Sequence, residues 1–96
     1  MTKIISKKIE SLIEETVRKH GVPGEYEVNV FECTLSEMKK LLDGKYHDVL
    51  SFPLDRDTIY PDGIVRLGDI VICKDELDKE FLAHHGCLHL LGVHHE

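Results

Sequence analysis

The chain of 96 residues lacks the features of membrane and secreted proteins. No apolar run approaches the roughly 18–20 residues that a bilayer-spanning helix needs. The start of the chain, MTKIISKKIE, has neither a continuous apolar core nor a small-residue cleavage site, so we expect no secretory signal. The three cysteines, Cys33, Cys73 and Cys87, form an odd set without a CxxC pair. This favours free, buried thiols and a cytoplasmic location.

Positive charge is also scarce. The chain has twelve Lys and Arg residues and eighteen Asp and Glu residues. The resulting net charge of −6 argues against tight nonspecific binding to nucleic acid. The cations crowd the first segment, however, so a local basic cleft is expected along that segment or near the functional site, with acidic residues elsewhere. Histidine, by contrast, is abundant: five of the seven lie between His84 and His95.

The length and the hydrophobic content of 42% indicate one small globular domain, residues 1–96. Six elements are predicted: helices over about 3–20, after Thr34 and from Asp75 to Leu91, and strands at 26–30, 48–52 and 67–73. Residues 55–63 are polar and rich in turn formers, so they are expected to form a loop. This order predicts an α+β fold in which helices pack on a mixed β-sheet.

Two of the predicted helices have specific sequence signals. Thr34 and Glu37 have the spacing of a capping box at the start of the second helix. In the last helix, the apolar residues are expected to form the buried side, and Gly92 is expected to end it. These apolar residues are Leu77, Phe81, Leu82, Leu88 and Leu91.

The histidines of the last helix have the spacing of metal ligands. His85 and His89 are four residues apart, so both side chains project from one face of a helix. A left-handed turn at Gly92 would let the chain fold back and present His95 as a third ligand. Three imidazole ligands leave one coordination position of a tetrahedral zinc ion open, which is typical of a catalytic site. His84 and His94 lie off the shared face and are second choices.

The spacing matches the metzincin protease pattern HExxHxxGxxH except at Gly86, where those enzymes carry their glutamate base. Glycine cannot accept a proton, and the sequence reaches Glu96 without a methionine turn. The sequence therefore keeps the metal ligands of this pattern without its proteolytic machinery.

The segments HGCLHLLGVHH, DVLSFPL and LGDIVIC resemble, in the same order, conserved blocks of the YbeY family of endoribonucleases. The resemblance implies a zinc-dependent, single-strand-specific endoribonuclease that matures ribosomal RNA and serves quality control of the small ribosomal subunit. It implies one zinc ion per chain, bound by His85, His89 and His95. Ser51 and Asp69 lie in the matching blocks and are expected to support the fold behind the site.

The sequence departs from the family pattern before DVLSFPL. The family has an arginine there that is important for activity, and this chain has none; His47 stands where the family has threonine. A phosphodiester-cleaving site needs cationic groups, so Lys45 and His47 are the candidate catalytic residues, with Arg66 a further candidate. Two alternatives stay open: a zinc peptidase, and a metal-bound ribosome-assembly factor without catalysis. The nucleophile, the native metal and the oligomeric state are left open.

Overall fold

The computed structural model describes residues 1–3 and 6–93, which form three helices and four strands. The elements are β1 Thr2–Lys3, α1 Lys7–Lys19, β2 Tyr26–Cys33, α2 Leu35–Leu41, β3 Val49–Pro53, β4 Val65–Cys73 and α3 Lys79–Leu90. Within these residues, no helix is long and apolar enough to cross a membrane. The predicted α+β class with a mixed sheet is confirmed.

The four strands form one sheet in the order β1-β2-β4-β3. β2 and β4 run parallel, whereas β1 pairs antiparallel with β2 and β3 pairs antiparallel with β4. β4 is an interior strand, as its apolar, β-branched sequence predicts. β3 forms an edge of the sheet, and the residue opposite Ser51 is Ile70.

The helices lie on both faces of the sheet. Alternation along β4 sends Ile70 and Ile72 to one face and Val71 and Cys73 to the other. The first face packs against α1 and α3 in the main core, and the second packs against Met38 of α2 in a smaller cluster. All three cysteines are free and buried, as predicted.

The capping box of α2 is confirmed in both directions. The Thr34 hydroxyl accepts a hydrogen bond from the Glu37 amide at 3.1 Å, and the Glu37 carboxylate accepts one from the Thr34 amide at 2.9 Å. These two bonds satisfy backbone donors that the first turn of a helix leaves without intrahelical partners. Residues 54–64 form the predicted loop between β3 and β4.

The prediction for the start of α1 was wrong. The helix begins at Lys7, because Thr2 and Lys3 pair with β2 as a short edge strand. β2 itself extends to Cys33, beyond the predicted residue 30. The pairing of β1 with this extension is a tertiary interaction that the local helical pattern does not reveal.

The prediction for the start of α3 was also wrong. Asp78, not Asp75, is the N-cap, and its carboxylate accepts a hydrogen bond from the Phe81 amide at 3.1 Å. Leu77 therefore precedes the helix and is 99% exposed, and Phe81 in the first turn is 61% exposed. The buried side of α3 starts at Leu82, and Leu88 and Leu91 belong to it as predicted.

Candidate metal centre on the last helix

The last helix is held tightly on the sheet, which fixes the position of its histidines. Leu82, Ala83 and Cys87 pack in the main core. Gly86 lies against Ile70 of β4, and the Ser51 hydroxyl donates a hydrogen bond to the Gly86 carbonyl at 3.3 Å. This contact places Ser51 directly behind the helix, in the supporting role that was predicted for it.

His85 and His89 come together as their spacing predicts. Their Nε2 atoms are 3.0 Å apart, their ring centroids are 4.6 Å apart, and both side chains are half-buried. At this distance one neutral imidazole can donate a hydrogen bond to the other. Two nitrogens bound to one tetrahedral zinc at about 2.0–2.1 Å lie about 3.3 Å apart. The pair therefore has the chemistry and nearly the spacing of two ligands of one ion.

The chain turns back immediately after α3. Gly92 has a φ of +80°, and its amide donates to the His89 carbonyl at 3.1 Å. The amide of Val93 donates to the Leu88 carbonyl at 2.9 Å. These two bonds and the left-handed glycine make up a Schellman motif, which confirms the predicted helix stop.

The third predicted ligand, His95, lies outside the described residues, as does His94. Within residues 1–3 and 6–93, no three His, Cys, Asp or Glu side chains converge as metal ligands. Assignment of His95 to the site thus stays a prediction. The turn at Gly92 lies three residues before His95. This is where the chain must change direction if His95 is to reach the other two histidines.

Cys87 is adjacent to the histidine pair in sequence but faces the main core. Burial raises the pKa of its thiol to about 11. A protonated, buried thiol is a poor metal ligand, because metals bind the thiolate. The imidazoles are therefore better candidates for metal ligands on α3 than the Cys87 thiol.

The candidate catalytic residues Lys45 and His47 lie in the turn between α2 and β3. Asp43 organises this turn: its carboxylate accepts from the Lys45 amide at 3.0 Å and lies 3.1 Å from the His47 ring. The Lys45 amide, followed by the His47 side chain, holds the pKa of Asp43 below its usual value. The turn leads into the strand end where the Cys73 amide donates to the Asp48 carbonyl, close to the loop before α3. The His47 ring therefore interacts with Asp43 of its own turn.

The groove along the first helix is not the basic cleft that was expected there. A groove between α1 and β2 is lined by two cations, Lys3 and Arg18, and by four glutamates, Glu10, Glu14, Glu25 and Glu27. Arg18 is paired with Glu14 at 3.1 Å, and Arg66 donates to Asp62 at 2.7 Å. Carboxylates of the protein itself therefore neutralise the two arginines.

The predicted burial of Phe81 was wrong. Its ring is exposed and nearly parallel to that of His85, with an interplanar angle of 19° and a centroid distance of 6.4 Å. The four-residue spacing of Phe81, His85 and His89 could have shown that the three rings share one face of the helix. The general tendency of apolar helical residues to be buried led to the opposite assignment.

Comparisons with known proteins give one consistent result. A family model described as Endoribonuclease YbeY matches residues 1–96. An Endoribonuclease YbeY of Oceanobacillus iheyensis is 34% identical over 112 aligned positions, which cover 91% of this chain and 72% of the relative. An Endoribonuclease YbeY of Staphylococcus aureus is 33% identical over 112 positions, covering 93% of this chain and 72% of that protein.

Proposed function

The chain belongs to the YbeY endoribonuclease family, and we propose that it is a zinc-dependent endoribonuclease that cleaves single-stranded ribosomal RNA. We further propose that it acts in ribosomal RNA maturation and in quality control of the small ribosomal subunit, in the cytoplasm. The observation that carries the proposal is the pair of Nε2 atoms of His85 and His89, 3.0 Å apart on the helix of the matching motif.

In this proposal His85, His89 and His95 hold one zinc ion. The donor set fits, since neutral imidazoles are good zinc ligands and two of the three already converge. A zinc ion in such a site supplies a Lewis acid that works at neutral pH. Ser51 fixes the helix by its bond to the Gly86 carbonyl, so the two ring nitrogens are positioned before RNA arrives.

Cleavage of a phosphodiester also needs cationic groups around the reacting phosphate, because negative charge grows on its oxygens. We propose Lys45 for this role, followed by His47. The support is their place in the sequence, next to the position of the family's arginine. Arg66 is less suitable, since its guanidinium already donates to Asp62 and lies over the Tyr60 ring. Either water or the ribose 2′-hydroxyl can serve as nucleophile in this scheme.

One alternative, a zinc peptidase, is disfavoured by the packing of Gly86. The residue carries no carboxylate, and its α-carbon faces Ile70 of the sheet. The other alternative, an assembly factor without catalysis, is favoured by the ion pairs that occupy Arg18 and Arg66. It predicts binding to the small ribosomal subunit with no cleavage of RNA.

The test is cleavage of a ribosomal RNA fragment by the zinc-loaded full chain. His89→Ala is compared with His84→Ala, a neighbouring histidine of the same helix that lies off the shared face. We expect cleavage by wild type and His84→Ala and none by His89→Ala. A folded, zinc-loaded wild type that leaves RNA intact would overturn the nuclease assignment, and a peptide library and small subunits would then separate the two alternatives.

A further inference from the structure

Phe81, His85 and His89 form a continuous row on one face of α3, and the row is named here the ring row. The residues recur every four positions, which corresponds to about 6 Å along the helix axis. The ring centroids are 6.4 Å apart between Phe81 and His85 and 4.6 Å apart between His85 and His89. An aromatic side chain therefore lies one helical turn from the proposed metal ligands.

Phe81 is the most exposed phenylalanine of the chain. The protein has three phenylalanines, and the other two, Phe31 and Phe52, are partly buried against the cluster around Met38. Phe81 is 61% exposed although Leu82, the next residue, is 5% exposed in the core. The contact with His85 covers little of its ring, since 6.4 Å is near the far end of the range for stacked aromatic pairs. Most of the ring is available to a ligand.

The charges of the protein make such a ring useful for binding RNA. The net charge is −6, and Arg18 and Arg66 are engaged by Glu14 and Asp62. The net negative charge therefore opposes the electrostatic attraction to phosphate that dominates most nucleic-acid binding. Stacking of unpaired bases on aromatic side chains does not depend on charge and tolerates any base. It also selects single-stranded RNA, because paired bases do not offer their faces.

We propose that Phe81 is a positioning residue that stacks on one unpaired base of the RNA substrate and places the neighbouring phosphate at His85 and His89. This inference rests on the proposed function. The ring row provides the geometry: the Phe81 ring is one helical turn from His85, with its centroid 6.4 Å from that of the imidazole. A nucleotide whose base stacks on Phe81 can therefore extend its phosphate toward the histidine pair. Phe81 takes no part in proton transfer.

The test measures binding separately from cleavage. A fluorescein-labelled single-stranded RNA oligonucleotide is titrated with the full chain in EDTA, where the RNA stays intact, and anisotropy gives Kd. Variants Phe81→Ala and Phe81→Leu remove the ring, Phe81→Tyr keeps it, and Leu77→Ala removes a neighbouring exposed apolar side chain as control. Circular dichroism confirms that each variant is folded. The chain has no tryptophan, so Phe81→Trp adds a single fluorophore whose emission a stacked base quenches.

We expect Phe81→Ala and Phe81→Leu to bind about 5- to 150-fold more weakly, the ratio that corresponds to ~1–3 kcal/mol for one stacked base. Phe81→Tyr and Leu77→Ala should bind like wild type, RNA should quench Phe81→Trp, and duplex RNA should not. Wild type and Phe81→Ala should bind an oligonucleotide of abasic sites equally.

Two outcomes separate this inference from the function on which it rests. Equal affinity of wild type and Phe81→Ala for intact single-stranded RNA overturns the role of Phe81 and leaves the nuclease proposal standing. A wild type that binds no RNA overturns both. In the zinc-loaded chain, the loss in Phe81→Ala should appear mainly in KM, with a smaller fall in kcat.

Discussion

A β-carbon added to Gly86 would lie 2.7 Å from the Cγ2 atom of Ile70. Real Cβ atoms do not approach other heavy atoms so closely, and Ile70 is fully buried and branched at Cβ, so it cannot move aside easily. The position where metzincin proteases carry their glutamate is thus packed against the sheet. Glycine at this position lets α3 approach β4 and leaves no room for a carboxylate side chain.

We expect Gly86→Ala to destabilise the protein by about 1–2 kcal/mol. Alanine raises the helix propensity by up to ~1 kcal/mol, but overpacking of a buried site costs about 1–3 kcal/mol. Urea denaturation measures the difference. In the double variant Gly86→Ala with Ile70→Ala, the clashing methyl is absent. The double variant should therefore lose less stability than the sum of the losses in the two single variants. Fully additive losses would show that Ile70 is not the cause.

Zinc should stabilise the native state through the histidine pair. At a concentration 100 times its Kd, a ligand of the native state adds about 2.7 kcal/mol. For a domain of this size that corresponds to a rise in Tm of roughly 10–20 °C. We expect differential scanning calorimetry to show this rise for wild type and for His84→Ala, and not for His85→Ala or His89→Ala. EDTA should reverse it.

The stoichiometry should be one zinc ion per chain. His95→Ala should weaken zinc binding, whereas the neighbouring substitution His94→Ala should not. An equal effect of His94→Ala and His95→Ala, measured by competition with a chromogenic chelator, would contradict the choice of His95 as third ligand. Retention of tight binding in His85→Ala would contradict the whole site.

Lys45→Ala should reduce kcat/KM for RNA cleavage by at least 10-fold, because removal of one group that stabilises charge in the transition state commonly costs about 100- to 1000-fold. His47→Ala should have a smaller effect, since its ring already interacts with Asp43. Lys40→Ala, an exposed lysine of α2, is the control. If Lys45→Ala and His47→Ala both cleave RNA like Lys40→Ala, neither replaces the family's arginine.

The capping box should contribute to stability in a pH-dependent way. Hydrogen bonding from the Thr34 amide, and then from the amino terminus, lowers the pKa of Glu37 from 4.5 to about 2. Because the pKa is lower in the folded state, the contribution is complete above 4.5 and is lost as the pH falls from there toward 2. Glu37→Gln should therefore lower the urea midpoint at pH 7, and its difference from wild type should shrink below pH 4.5. Glu15→Gln, on the exposed side of α1, should show little change at either pH.

Local signals in the sequence predicted much of this structure. The turn at Gly92, the capping box at Thr34 and the meeting of His85 with His89 each depend on residues within one or two turns of a helix. Such interactions are set by spacing alone. The left-handed turn at Gly92, which ends α3, was predictable because glycine adopts a positive φ without steric cost.

Features that depend on distant partners were not predictable. Lys3 belongs to a strand because Phe31 is opposite it, and no nearby residue signals that pairing. The exposure of Phe81 depends on where α3 meets the sheet, which Gly86 and Ile70 determine.

The parallel pairing of β2 with β4 has a consequence for the order in which the protein folds. Asn29 lies opposite Asp69, 40 residues later, so this pairing requires closure of a long loop before its contacts can form, and such pairings form slowly. α3 packs on β4, and an isolated helix of its length is marginal in water. The histidine pair is therefore held in place only once the slowest pairing is complete, and zinc binding would report the end of folding rather than the formation of a helix.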